Sequence, residues 1–125
     1  MPKIIWEGSP TGEWDPIHDE LLLPKLPKYR EKAHIILGHE LAHRENIPPG
    51  SWESPMGTFV AERDAWKETI RKLLPEEIDL DFVNTCLGGY LKEVREYYGE
   101  DSPQARECGR MRSELMRYAR GKKGD

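Results

Sequence analysis

Apolar positions recur at two different periods along this chain, and the change of period marks out its elements. The short run Ile4-Ile5-Trp6 predicts a strand over residues 3–6, and Gly8-Ser9-Pro10-Thr11-Gly12 predicts turns after it. From Trp14 to Leu23 the pattern predicts one or two further strands, ending at Pro24 and Pro27. A β-hairpin or a small three-stranded sheet follows. Helical spacing then takes over. A first long helix is expected from about Lys28 to Asn46, stopped by Pro48-Pro49-Gly50, which cannot continue it. A loop through Ser51-Trp52-Glu53-Ser54-Pro55 leads to a second helix over about Gly57 to Leu74. Its inward stripe is Phe59, Glu62, Ala65, Trp66, Thr69, Ile70 and Leu73. The third helix begins near Asp81 as N-cap and carries Val83, Cys86, Leu87, Tyr90, Leu91, Val94 and Tyr97 at helical spacing. Gly88-Gly89 in its middle costs about 1 kcal/mol per glycine relative to Ala, which close approach by another helix would rationalise. Gly99 ends it, Ser102-Pro103 opens a fourth helix and Gly121 closes that one. Ala105, Cys108, Met111, Leu115 and Tyr118 form a narrow apolar seam on the fourth helix, suited to the third helix or to a homo-oligomer through the C-terminal helices.

Composition narrows the classes. At 125 residues the chain is expected to be a single domain, 1–125, with one modest core. Charges of both signs are interspersed to a net −4, with no basic block beyond Lys122-Lys123, so nucleic acid is not an expected partner. The apolar run at the start is too short for a signal peptide and no stretch could span a bilayer, which predicts a cytoplasmic protein without a membrane partner. Cys86 and Cys108 lack C-x-x-C spacing and fall on apolar helix faces, where buried thiols are expected rather than a disulfide or a metal site.

The chemistry is concentrated in the first long helix, at His39-Glu40-Leu41-Ala42-His43. Residues four apart share a helix face, so both imidazoles can point at one ion, and Glu40 lies about 100° round from His39. Two histidines and a flanking carboxylate in H-E-x-x-H order are the arrangement of a zinc peptidase. By chance the pattern arises in roughly one or two such chains per hundred, so its setting carries the weight. Residues 32, 35, 36, 42, 43 and 46 fall within about 60° of His39, while Leu37 and Leu41 face the other side. The helix therefore reads as central and buried. Two hydrogen-bonded core histidines are the plain alternative.

Catalytic zinc takes three protein ligands and keeps a position for water. Glu45 points about 200° away from His43. Glu53, in the loop, stays a candidate. Asp64 and Glu68 share a solvated stripe with Lys67 and Arg71. Glu62 instead lies among Phe59, Ala65, Trp66 and Thr69, where a buried carboxylate must be paired or bind metal. Glu62 is the preferred third ligand. His34 lies about 140° from His39 and reads as structural. His18 reads as a surface residue or a substrate contact, and Trp6, Trp14 and Trp52 as packing residues, with Trp52 a candidate rim of the cleft.

His39-Glu40-Leu41-Ala42-His43 followed nineteen residues later by Glu62-Arg63-Asp64-Ala65 resembles the gluzincin metallopeptidases, and the small size resembles the ImmA/IrrE-like bacterial and phage zinc peptidases. The likeness covers about residues 29–70. It implies an α+β, zincin-like fold, with a small N-terminal β-sheet packed on a central H-E-x-x-H helix and three further helices. It also implies Zn2+ as cofactor, His39, His43 and Glu62 as ligands, Glu40 as general base, and a protein or peptide substrate lying along an edge of the sheet. The chain departs from the family at Trp66, where an Asp or Asn often supports a ligand histidine; Asp64 or a backbone carbonyl is the expected substitute. The rival expectation is a non-catalytic zincin-fold interaction module with a structural or vestigial zinc.

Overall fold

The computed structural model describes residues 2–46 and 53–124. Among these residues the architecture is α+β, a three-stranded sheet with four long helices. The chain divides into two compact units between residues 47 and 48. The Pro48-Pro49-Gly50 stop and Trp52 lie outside the described residues.

In the first unit, β1 (Lys3–Ser9), β2 (Glu13–Asp15) and β3 (Glu20–Pro24) form a mixed sheet in the order β1-β3-β2. β3 is central, parallel to β1 and antiparallel to β2. Its alternate residues Leu21 and Leu23 are buried, as a half-covered strand requires. The strand expected over residues 3–6 runs on to Ser9, because its register shifts between Ile5 and Ser9 and Glu7 takes a left-handed φ of 55° within that bulge. Gly8 is thus a strand residue, not a turn residue: a Cβ there would stand 2.9 Å from Leu22 Cδ2. Trp6, expected to pack, is 76 % exposed.

The expected first helix is two. A one-turn helix, α1 (Pro27–Arg30), precedes α2 (Ala33–Asn46), with a turn at Glu31-Lys32 between them. β2 and β3 pack against α2, which buries Ile35, Ile36, His39, Ala42 and His43. Leu37 and Leu41 are only half-buried and His34 is exposed, so α2 has one buried face rather than two, and His34 is not a core residue.

In the second unit, α3 (Pro55–Lys72), α4 (Leu80–Tyr98) and α5 (Pro103–Lys123) pack against one another, with a 3-10 turn at Pro75–Glu77. Each helix opens on a side-chain cap. Ser54 Oγ accepts the Gly57 N–H at 3.0 Å, Asp79 Oδ1 the Phe82 N–H at 3.0 Å, and Ser102 Oγ the Ala105 N–H at 3.1 Å. α3 and α4 therefore each begin one or two residues before the expected position, and Asp79 rather than Asp81 caps α4. α4 closes at Gly99 with φ 110° as expected, but α5 continues through Gly121 to a left-handed Gly124.

The core of this unit is Phe59, Ala65, Trp66, Ile70, Val83, Leu87, Leu91, Val94, Cys108 and Leu115, all nearly fully buried. The α5 seam lies against α4, with Met116 and Ala119 added and Tyr118 left partly exposed. Tyr97, expected in the core, is 71 % exposed and meets Tyr98 edge-on. Of the two mid-helix glycines, Gly88 is approached by the Arg112 guanidinium of α5, whose side chain bonds Asn84; at Gly89 a side chain would meet open space. Cys108 is buried, Cys86 half-buried, and neither forms a disulfide. Lys122 Nζ donates to the Ile70 and Arg71 carbonyls at the end of α3, and Lys123 Nζ to the Ile78 carbonyl at 2.7 Å. No helix among the described residues is long and apolar enough to cross a membrane.

Gly12 precedes β2 with φ 93°, and a Cβ there would lie 2.6 Å from Ile36 Cγ2 on α2. Gly12→Ala should therefore cost about 1–3 kcal/mol, read as a lower denaturation midpoint at unchanged slope.

Candidate metal centre

His39 and His43 stand one turn apart on the buried face of α2, 5 % and 2 % exposed. Their rings meet edge-on, with centroids 4.5 Å apart and planes at 78°. The two Nε2 atoms are 3.0 Å apart, a hydrogen-bonding distance that requires one of them to carry the proton. Two nitrogens bound tetrahedrally at the usual zinc distance lie roughly 3.3 Å apart, so a shared ion would ask for an opening of only about 0.3 Å.

Glu40 is half-buried, and its Oε2 accepts the main-chain N–H of Trp14 at 3.0 Å. Trp14 is the middle residue of β2 and pairs with Leu21. Its N–H therefore lies outside the β2–β3 ladder and is turned to the helix instead. Beside this contact, Arg44 donates through Nε and Nη2 to Asp19 Oδ1 and Oδ2 at 2.7 and 3.0 Å. The Trp14 indole N–H also donates to Asp19 Oδ1, at 3.1 Å. Arg44 foremost, then the Trp14 indole, holds the Asp19 carboxyl below its usual range, and Asp19 in turn raises Arg44. Asp19 itself adopts a left-handed φ of 50°.

On α3 in the second unit, Glu62 is 5 % exposed and shares its helix face with buried Phe59, Ala65, Trp66 and Thr69. His39, His43 and Glu62 are thus all buried and of the types that could hold a metal ion. The competing acids lie elsewhere. Glu45 and Glu53 are exposed, Asp64 is exposed and accepts from Arg63, and Glu68 accepts from Arg71, which lowers its carboxyl to about 2. Asp64, expected to support a ligand histidine, is therefore a surface residue. Trp66 is buried with its ring edge-on to Phe82 at 5.9 Å.

A second His-carboxylate group, Asp15, His18 and Glu20, lies at the β2–β3 turn. Asp15 there accepts the main-chain N–H groups of Ile17 and His18 and bonds the exposed His18 ring at 2.7 Å, raising His18 and lowering itself. This is an Asx turn with a surface ion pair.

The histidine pair, Glu40 and Glu62 were accessible to face-by-face reading. The Trp14 N–H and the Asp19–Arg44 pair were not, since main-chain donors leave no mark in composition. The available signal was Arg44, a cation placed four residues after Glu40. Comparison with protein-family models, curated proteins and solved structures gave no match to this chain.

A lowered carboxyl stabilises the fold above its ordinary value, here 3.8, and that contribution is lost as pH falls through the folded value. Thermal melts of the wild type and Asp19→Asn should differ at pH 7 and converge in acid below 3.8, the difference shrinking in high salt.

Proposed function

We propose that this chain is a zinc metallopeptidase of the zincin type, with His39, His43 and Glu62 as ligands and Glu40 as general base. The observation that carries the reading is the histidine pair, two buried Nε2 atoms 3.0 Å apart, with the intervening Glu40 carboxylate fixed by a main-chain N–H. A structural zinc site has no use for a carboxylate held in that place. Glu62, the proposed third ligand, is a buried carboxylate of the type such a set takes.

Zinc, when bound, supplies Lewis acidity and brings the pKa of its water from 15.7 to about 7. Glu40 does the proton work. With Oε2 on the Trp14 N–H, Oε1 takes the proton of the attacking water and passes it to the leaving amine nitrogen. The substrate is a protein or peptide segment. β2 is an edge strand whose outward N–H already faces Glu40, so an extended peptide laid along that edge brings its carbonyls past the base. Two cysteines outside any disulfide fit a reducing compartment, and the cytoplasm is the proposed location.

Metal analysis of the purified protein should find about one zinc per chain, lost in both His39→Ala and Glu62→Ala. Zinc loss in the first alone would remove Glu62 from the ligand set. Glu40→Gln should keep the metal while peptide hydrolysis falls about 10²–10⁴-fold. Bound zinc with no hydrolysis of a diverse peptide library by the wild type would favour the non-catalytic module instead.

A further inference from the structure

The Asp19–Arg44 pair takes no part in the chemistry above, yet it closes a ring of contacts around Glu40. Arg44 grips Asp19 with two hydrogen bonds, Asp19 receives the Trp14 indole, and the Trp14 main chain donates to Glu40. Glu40 and Arg44 are four apart, so α2 holds the β2–β3 hairpin at two points one helical turn from each other. Side chains this exposed gain little stability from an ion pair. A left-handed backbone at a non-glycine residue also carries a cost, and here it places one carboxylate within reach of Arg44 and Trp14 together.

We infer that Asp19 is a positioning residue for Glu40, acting through Trp14. Anchored to Arg44, it fixes the indole and with it the strand whose N–H sets the Glu40 carboxylate. This rests on the reading of Glu40 as base. A long carboxylate side chain released from its donor regains rotamer freedom, and a misplacement of about 1 Å at a reacting group can cost about 10²-fold in rate.

Two variants separate the contacts. Asp19→Asn loses the charged fork to Arg44 but keeps an acceptor for the indole; Asp19→Gly loses both and is at ease at φ 50°. In zinc-loaded protein kcat should fall about 3–10-fold in the first and about 30–100-fold in the second. KM should stay within about twofold and zinc content should be unchanged. A loss confined to KM, or equal losses in the two variants, overturns the inference.

A second readout needs no activity. Exchange of the Trp14 amide hydrogen should be at least about 10-fold faster in Asp19→Gly, approaching its rate in Glu40→Ala, while the amides of Leu21 and Ile36 keep wild-type rates. An unchanged Trp14 rate in Asp19→Gly overturns the inference whether or not the protein cleaves peptides. If the amide responds as expected in a protein that hydrolyses nothing, the coupling to Glu40 stands and the base role falls.

Discussion

Burying two imidazole rings on one helix face is the constraint to which the first unit is built. Each ring brings polar nitrogens out of water, and such groups are costly unless they find partners. The four-residue spacing lets His39 and His43 meet through Nε2 at 3.0 Å, so each satisfies part of the other's demand. The same spacing brings both nitrogens to one place on that face. The arrangement that makes the buried face tolerable without an ion is therefore close to the one that would receive it. The β2–β3 hairpin packs on α2, with Leu21 and Leu23 of β3 buried and Gly12 seated closely on Ile36.

Glu40 occupies the border of that face, half-buried and tied to β2 by a main-chain donor. A backbone N–H is a stiff reference point, since it moves only with its strand. The strand is itself held to α2 by the Asp19–Arg44 pair, so helix and sheet edge define one another's position. Polar contacts at the rim and apolar contacts beneath it thus serve different ends: the apolar ones hold the layers together, and the polar ones set where a single carboxylate stands.

What could be read from the sequence was whatever depends on periodicity. The one-turn spacing of His39 and His43, the burial of Glu62 among Phe59, Ala65 and Trp66, and the Ser102-Pro103 start of α5 all follow from local rules, and the structure has them. What escaped depends on contacts between elements. Gly8 reads as a turn signal but serves as a flat place in a strand beneath Leu22, and the Glu7 bulge that carries β1 past it is a backbone choice with no residue signature. Tyr97 has the right spacing for the α4 stripe and is exposed all the same, because it falls in the last turn of its helix. Lys122 and Lys123, which in the sequence are only a short basic block, donate to main-chain carbonyls at the end of α3 and after the following turn.

The bond from Trp14 to Glu40 has a bearing on solubility as well. An edge strand offers a row of open main-chain donors and acceptors to any other extended chain, and proteins blunt such edges by keeping them short or filling them. β2 is three residues long, and the outward donor at its middle is already filled by a carboxylate. A strand arriving there in register finds the Trp14 donor already taken, so it can pair only in part. An extended segment can therefore pass along the edge beside Glu40 without being locked in place as a fourth strand.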